Sequence, residues 1–449
     1  MQLKPKSKPK PTRGKATMMR RQLMAASCAL LGAAAARGQE PSGQQPSGTR
    51  VDTGPFWEFI DGMSVDSALA YYHEDGRIRA IEPIVNLSKT FADGAVLSMN
   101  GTFDSLSGAS PNGALTSNKP QTFASPSGTN AHAYSTAPGQ LPADPNYHDD
   151  RIAADANWEQ PLTRLTRVDL GGKFSDEHDF ASVTVSASIA HDFNEKNTTL
   201  SFGIDNEYDK LSPIGGAPVP GSDYALQEKT GGATKDGVGA LLGATQVMTY
   251  NWLSEFNLSV DRFHGYLNDP YKFISVLDST GNTTGYQYES RPDHRTRESA
   301  YWENRAAWSR VSAALSLRYM TDDWQVHSDT AQLQVRFPFA NRAQYIEPTV
   351  RWYRQSAADF YTPWIDSDKP LTGYASSDSR LAAFRAMTYG LKYAKTMGVP
   401  GDRSGSELSV RVEYYQQTLE DLRAAPAALQ GLDLYPGLKA ILVQIGWRF

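Results

Sequence analysis

Ala181-Ser182-Val183-Thr184-Val185-Ser186-Ala187-Ser188-Ile189 alternates without a break, aliphatic at every odd position and hydroxylated at every even one. A period of two is the signature of a strand with one oily and one polar face. Leu97, Met99, Gly101 and Phe103 alternate in the same way with Ser98, Asn100, Thr102 and Asp104, and Leu408, Val410, Val412 and Tyr414 with Ser409, Arg411, Glu413 and Tyr415. A soluble sandwich shows this alternation too, so length has to decide. These segments run about ten residues, as a tilted strand needs to cross a bilayer, whereas globular strands average about five or six. Aromatic residues gather near segment ends, at Tyr71 and Tyr72, Trp158, Trp302 and Trp308, and Trp352 and Tyr353, as interfacial girdles require.

Working outward, the pattern predicts sixteen strands near 63–72, 78–90, 95–106, 151–160, 165–174, 180–191, 198–207, 245–253, 256–266, 299–309, 311–321, 324–337, 343–356, 383–394, 406–417 and 437–449. Every long connection (107–150, 208–244, 267–298, 357–382 and 418–436) then follows an odd-numbered strand. Even-to-odd connections are short, apart from 395–405. The fold expected is all-β: a transmembrane antiparallel β-barrel of about 16 strands, with long extracellular loops, short periplasmic turns and both termini in the periplasm. Closure suits hydrocarbon, where every backbone group must be paired.

The two ends of the chain support this. Ile441, Val443, Ile445, Trp447 and Phe449 share one face of a final strand, and a last strand ending in phenylalanine resembles the C-terminal signal read by the barrel-assembly machinery of Gram-negative bacteria, with Trp447 and Phe449 as its aromatic residues. At the other end, a basic stretch from Lys4 to Lys15 and the pair Arg20-Arg21 precede the apolar run Leu23–Ala36. This is the layout of a secretory signal, expected over 1–38, followed by a Pro/Gly/Ser/Gln-rich flexible periplasmic lead-in over 39–62 and the barrel over 63–449. That apolar run has 14 residues, too short for a membrane-spanning helix. Removing 1–38 takes nine of the 44 basic residues and none of the 49 acidic ones, leaving a net charge of −14. Nucleic acid is not an expected partner for such a surface. Cys28 is the single cysteine of the 449 residues, so neither a disulfide framework nor a cysteine metal site is available.

The stretches Ser64–Tyr72, Ala80-Ile81-Glu82-Pro83, Leu106–Ala114 and Pro120–Phe123 resemble domain-of-unknown-function family 3570, uncharacterised bacterial proteins with signal peptides and outer-membrane barrels. The Gly108-Ala109-Ser110-Pro111-Asn112-Gly113-Ala114 segment is the most specific part. The resemblance implies the barrel fold and a location in the outer membrane of a Gram-negative bacterium. It implies no catalytic residue.

Motif chemistry is sparse: no His-Glu-x-x-His, no Gly-x-Ser-x-Gly and no phosphate-binding glycine loop occurs, and no cofactor, metal site or enzymatic activity is expected. His148-Asp149-Asp150 and Asp176-Glu177-His178-Asp179 are the densest acid–histidine groups and read as solvated loop charge. The polar strand faces say more. With parity fixed by the oily faces, Glu82, Arg167, Asp169, Arg318, Arg336, Glu347, Arg351, Arg411 and Glu413 point inward as candidate pore-lining residues. So many charges in a dry core would cost several kcal/mol per ion, so the lumen is expected to be wet, and about 16 strands enclose a channel. Ile81-Glu82-Pro83-Ile84-Val85 and Ile346-Glu347-Pro348-Thr349-Val350 echo each other, each placing a glutamate inward and a proline toward lipid where a bulge or local bend is expected. Chance similarity between amphipathic strands is the favoured explanation, and only if the echo is functional are the two glutamates cation-attracting groups in the pore.

Two functions compete. One is a porin-like passive channel for small hydrophilic solutes, with membrane lipid and the assembly machinery as partners. The other is a non-enzymatic scaffold or sleeve for a periplasmic or surface protein in secretion or extracellular electron transfer, with the 107–150 loop as its cue.

Overall fold

The computed structural model describes residues 63–125, 133–369, 373–397 and 406–449. The expected signal and lead-in lie outside them. A closed antiparallel barrel is formed by β1 (Met63–Glu74), β2 (Ile78–Thr90), β3 (Val96–Pro111), β6 (Ala143–Pro161), β7 (Thr166–Asp176), β8 (Phe180–Phe193), β9 (Thr198–Leu211), β10 (Ala233–Thr249), β11 (Trp252–Gly265), β14 (His294–Ala307), β15 (Ser312–Asp322), β16 (His327–Phe339), β17 (Gln344–Gln355), β19 (Phe384–Met397), β20 (Ser406–Leu419) and β21 (Leu438–Arg448). Sixteen strands close the ring, each beside the ring strand that precedes it in the chain. β1 returns to β21, and at the seam Phe449 and Val65 exchange two backbone hydrogen bonds of 2.9 Å.

Alternation sets the two surfaces. Leu69, Ile81, Phe103, Leu170, Val185, Ile204, Leu315 and Ile445 are exposed on the outer face, the belt that meets lipid. Because neighbours in a strand point opposite ways, Tyr71 is outside while Tyr72 turns inward to donate its hydroxyl to Glu74, 2.8 Å away. Tyr353 likewise faces inward beside the outward Trp352. Neither Tyr72 nor Tyr353 belongs to a girdle, which the clustering of aromatics alone had suggested.

Of the bulge or local bend expected at the two prolines, the bulge is not formed. Along β2–β3 the pairs of Glu82 and Pro83 are missing between Ile81↔Ser105 and Ile84↔Thr102, and along β16–β17 those of Glu347 and Pro348 are missing between Phe337↔Ile346 and Gln334↔Thr349. The register resumes unshifted, so each proline opens a gap and inserts no bulge. The ladder on the other side stays continuous through both residues.

Several strands outrun a bilayer. β3 has 16 residues, β6 has 19 and β10 has 17, against the roughly ten needed to cross. The surplus stands on the side of the long loops and carries them.

Candidate functional site

Between these extensions the five long loops (112–142, 212–232, 266–293, 356–383 and 420–437) fold on one another. They add a hairpin, β4 (Gln121–Ala124) with β5 (Ala133–Thr136), and a three-stranded sheet of β12 (Phe273–Leu277), β13 (Thr283–Tyr288) and β18 (Trp364–Asp366). β12 and β18 come from different loops and run parallel. Phe123 is fully buried among Tyr134, Phe273, Tyr224 and Tyr286, stacked on Phe273 at 5.5 Å between ring centres. A second apolar cluster joins Leu115, Leu277, Trp364, Leu429 and Leu434. Since the five loops spring from strands spaced around the ring and meet in common cores, they cross the mouth as a cap. The 107–150 segment is thus strand at both ends and cap between.

Polar bonds fasten the cap. The Phe273 amide donates to Asn112 O at 2.8 Å, the Leu115 amide to Ser275 Oγ at 3.0 Å and the Ala428 amide to Thr280 O at 3.0 Å. Deeper lies an ionic knot. Arg291 Nη2 is 2.9 Å from both Glu289 Oε2 and Asp378 Oδ2, and Arg380 Nη2 is 2.7 Å from Asp269 Oδ2. Glu289 also accepts from the Ser376 hydroxyl and the Asp269 amide. Burial raises the Glu289 carboxyl to about 7 despite Arg291, whereas Lys272, Arg380 and Arg291 hold Asp378 far below the usual carboxylate range against its own burial. At the rim the Asp149, Glu177 and Asp179 carboxylates lie within 4.8 Å of one another, and Tyr271 donates its hydroxyl to Asp179. Burial, reinforced by the neighbouring acids, raises Glu177 to about 7, so the group holds a proton near neutrality.

Below the cap, Glu82, Arg167, Asp169, Arg318, Arg336, Glu347, Arg351, Arg411 and Glu413 all fall on strand faces opposite the lipid belt, but their surroundings differ. Arg167 and Asp169 are buried at the periplasmic end. Arg167 reaches Asp192 at 3.4 Å, and Asp169 accepts from Ser188 Oγ at 3.2 Å. Glu347, only 3% exposed, is bound by Arg336 at 2.6 Å and approached by Arg411 at 3.8 Å, which also pairs with Glu413 at 2.9 Å. Arg336 therefore meets an acid on the adjacent strand, and Glu347 is matched by cations of the barrel itself. Glu82 is half-buried, next to Asp104.

Arg318 and Arg351 come together. With Arg295 and Arg297 they line a cavity of about 220 Å³ in the extracellular half of the lumen. Arg295 and Arg297 escaped the sequence reading because β14 begins five residues before its expected start. The alternation Arg295, Arg297, Ser299, Tyr301 was the available signal. Asp155, Lys173, Arg318 and Arg351 are exposed although they point into the ring, so water has access to its interior.

A closed ring of this size with an oily exterior and a charged, solvent-accessible interior is an outer-membrane β-barrel. More particularly, the chain belongs to the family described as Protein of unknown function (DUF3570), matched over residues 20–449. No curated protein matches it. Among solved structures it is similar to a bacterial polysaccharide outer membrane secretin (9% identity, 86% of this chain and 98% of that one, TM-score 0.40). It is also similar to the outer membrane protein OpdK from Pseudomonas aeruginosa (10% identity, 86% and 98%, TM-score 0.38) and to OccK3 (OpdO) of the same organism (8% identity, 88% and 99%, TM-score 0.40).

Proposed function

We propose that the protein is a porin-like passive channel that lets small hydrophilic solutes cross the outer membrane. The observation that carries this is the exposure of Asp155, Lys173, Arg318 and Arg351 on the inner face of a sixteen-stranded ring. Charges left open to solvent there mark an aqueous interior, and barrels of this width leave an aqueous channel where eight-stranded ones are filled by side chains. The cap restricts what enters from outside to solutes that pass between its loops. Charges on the pore wall then act on passing ions at close range. Reconstitution of the purified protein into planar bilayers tests the reading: discrete conductance steps are expected, and a silent membrane at all voltages overturns it.

The proposal extends to assembly. Trp447 and Phe449 lie on the lipid-facing side of the last strand, each about half exposed, where the barrel-assembly machinery has access to both rings.

A further inference from the structure

The arginine cavity has a charge pattern that holding the barrel together does not explain. Two of its four guanidinium groups are already matched: Arg295 Nε donates to Asp322 Oδ2 at 2.8 Å and stacks over the Trp324 ring, and Arg297 reaches Asp261 at 3.5 Å. The other two are not. Arg318 has only the Ser299 hydroxyl at 3.5 Å, and Arg351 has no hydrogen-bond acceptor or carboxylate in reach among the described residues. Contrast Arg336, whose partner Glu347 sits beside it on the next strand. Arg318 and Arg351 share one void, and two like charges so placed repel unless an anion lies between them.

The void does not end at the arginines. A second cavity of about 230 Å³ adjoins it, with Arg351 and Tyr353 common to both, and its other walls include Phe384, Ala386, Thr388 and Tyr415. Register makes this adjacency: Arg351 pairs with Thr388, which pairs with Tyr415, while Tyr353 pairs with Ala386 one row above. The small side chains of Ala386 and Thr388 leave the space that the aromatic rings border. Tyr353 and Phe384 stand 5.4 Å apart, centre to centre. Phe384 opens β19 directly after the 356–383 loop, so the double cavity is the first part of the lumen beneath the cap.

We infer that this double cavity is a binding site for small aromatic carboxylates. The carboxylate takes the forked donors of Arg318 and Arg351, and the ring lies against Tyr353, Phe384 and Tyr415. Guanidinium groups favour planar, two-oxygen anions, and aromatic faces favour an aromatic body. Acetate satisfies the arginines alone and benzyl alcohol the aromatic walls alone, so the site discriminates by requiring both. A role in uptake rests on the channel reading. Binding itself does not.

Calorimetric titration of the full-length protein in detergent with benzoate, acetate and benzyl alcohol tests the inference. Benzoate is expected to bind roughly tenfold or more tightly than either of the others, since benzyl alcohol lacks the charge-assisted bonds and acetate lacks the buried ring. Arg351→Gln should remove roughly that factor for benzoate and leave benzyl alcohol unchanged, Arg351→Lys should fall between, and Phe384→Ala should narrow the gap between benzoate and acetate. Heat-modifiable migration on gels reports whether each variant is a folded barrel, and Arg318→Gln serves if Arg351→Gln is not. Benzoate binding no better than acetate, or indifferent to these substitutions in folded protein, overturns the site. A protein that binds benzoate but never conducts sinks the channel reading and leaves the site standing.

Discussion

Arg336 Nε lies 2.6 Å from Glu347 Oε2 across β16 and β17, where the ladder between the two strands is interrupted by Pro348. The side-chain pair thus bridges a point at which backbone bonds are missing. Arg336→Ala leaves an almost fully buried carboxylate with Gln334, a distant Arg411 and the charge of Lys392 across the β17–β19 ladder. The penalty expected is about 1–3 kcal/mol, discounted for the partial exposure of Arg336. Adding Glu347→Gln should restore most of it. The temperature at which the barrel band is lost on gels measures both.

The seam makes a different prediction. Phe449→Ala keeps the two backbone bonds to Val65 and removes only the ring, whereas deletion of Phe449 removes both. If the ring is read during assembly, the substitution alone lowers the yield of heat-modifiable barrel, and the deletion lowers it further. Equal yields for wild type and Phe449→Ala would exclude the side chain as a signal.

For the cap, Phe123→Ala should cost about 3–5 kcal/mol of local stability, the usual loss for a fully buried phenylalanine. Limited proteolysis should then cut the loops while the barrel still migrates as folded. Loss of the barrel itself would mean that the cap is not a separable layer.

Glu289 makes the cap pH-dependent. Folded, it keeps its proton up to about 7, whereas an unfolded glutamate releases it near 4.5. Between these values the closed cap binds more protons than the open one, so raising the pH favours opening. The contribution is complete below about 4.5 and is lost as pH rises through about 7, at most about 3 kcal/mol. Asp378 works in the opposite sense, its contribution failing only as pH falls far below this window. Hydrogen exchange of 266–293 and 356–383, corrected for intrinsic rates, should speed up from pH 5 to pH 8. Glu289→Gln should reduce the trend in 356–383, and adding Glu177→Gln, whose raised carboxyl sits beside the Asp179 that Tyr271 bonds, should reduce it further in 266–293.

The barrel was legible because lipid outside and water inside impose a strict parity on each strand, and the sixteen predicted segments all became strands of the ring. The eighth was placed too late, at 245–253, with its first half left in the 208–244 connection, although β10 starts at Ala233. Gly237, Gly239 and Gly243 lie on the inner face of that strand, where a Cβ would press on the side chains of Phe263, Asp205 and Ser201. The cap was illegible because its cores gather Phe123, Tyr224 and Phe273 from three loops, with no period for a sequence to display. The arginine cavity was half legible. Parity gave Arg318 and Arg351, but their convergence with Arg295 and Arg297 depends on register between strands.

The cap draws each of its cores from several loops, so what the cell shows to the outside is a composite relief that no single loop reproduces. Antibodies raised against an isolated 112–142 peptide would meet Phe123 and Leu115 uncovered, a shape the native surface never presents. A ligand that reads the assembled cores must therefore engage residues from several loops at once.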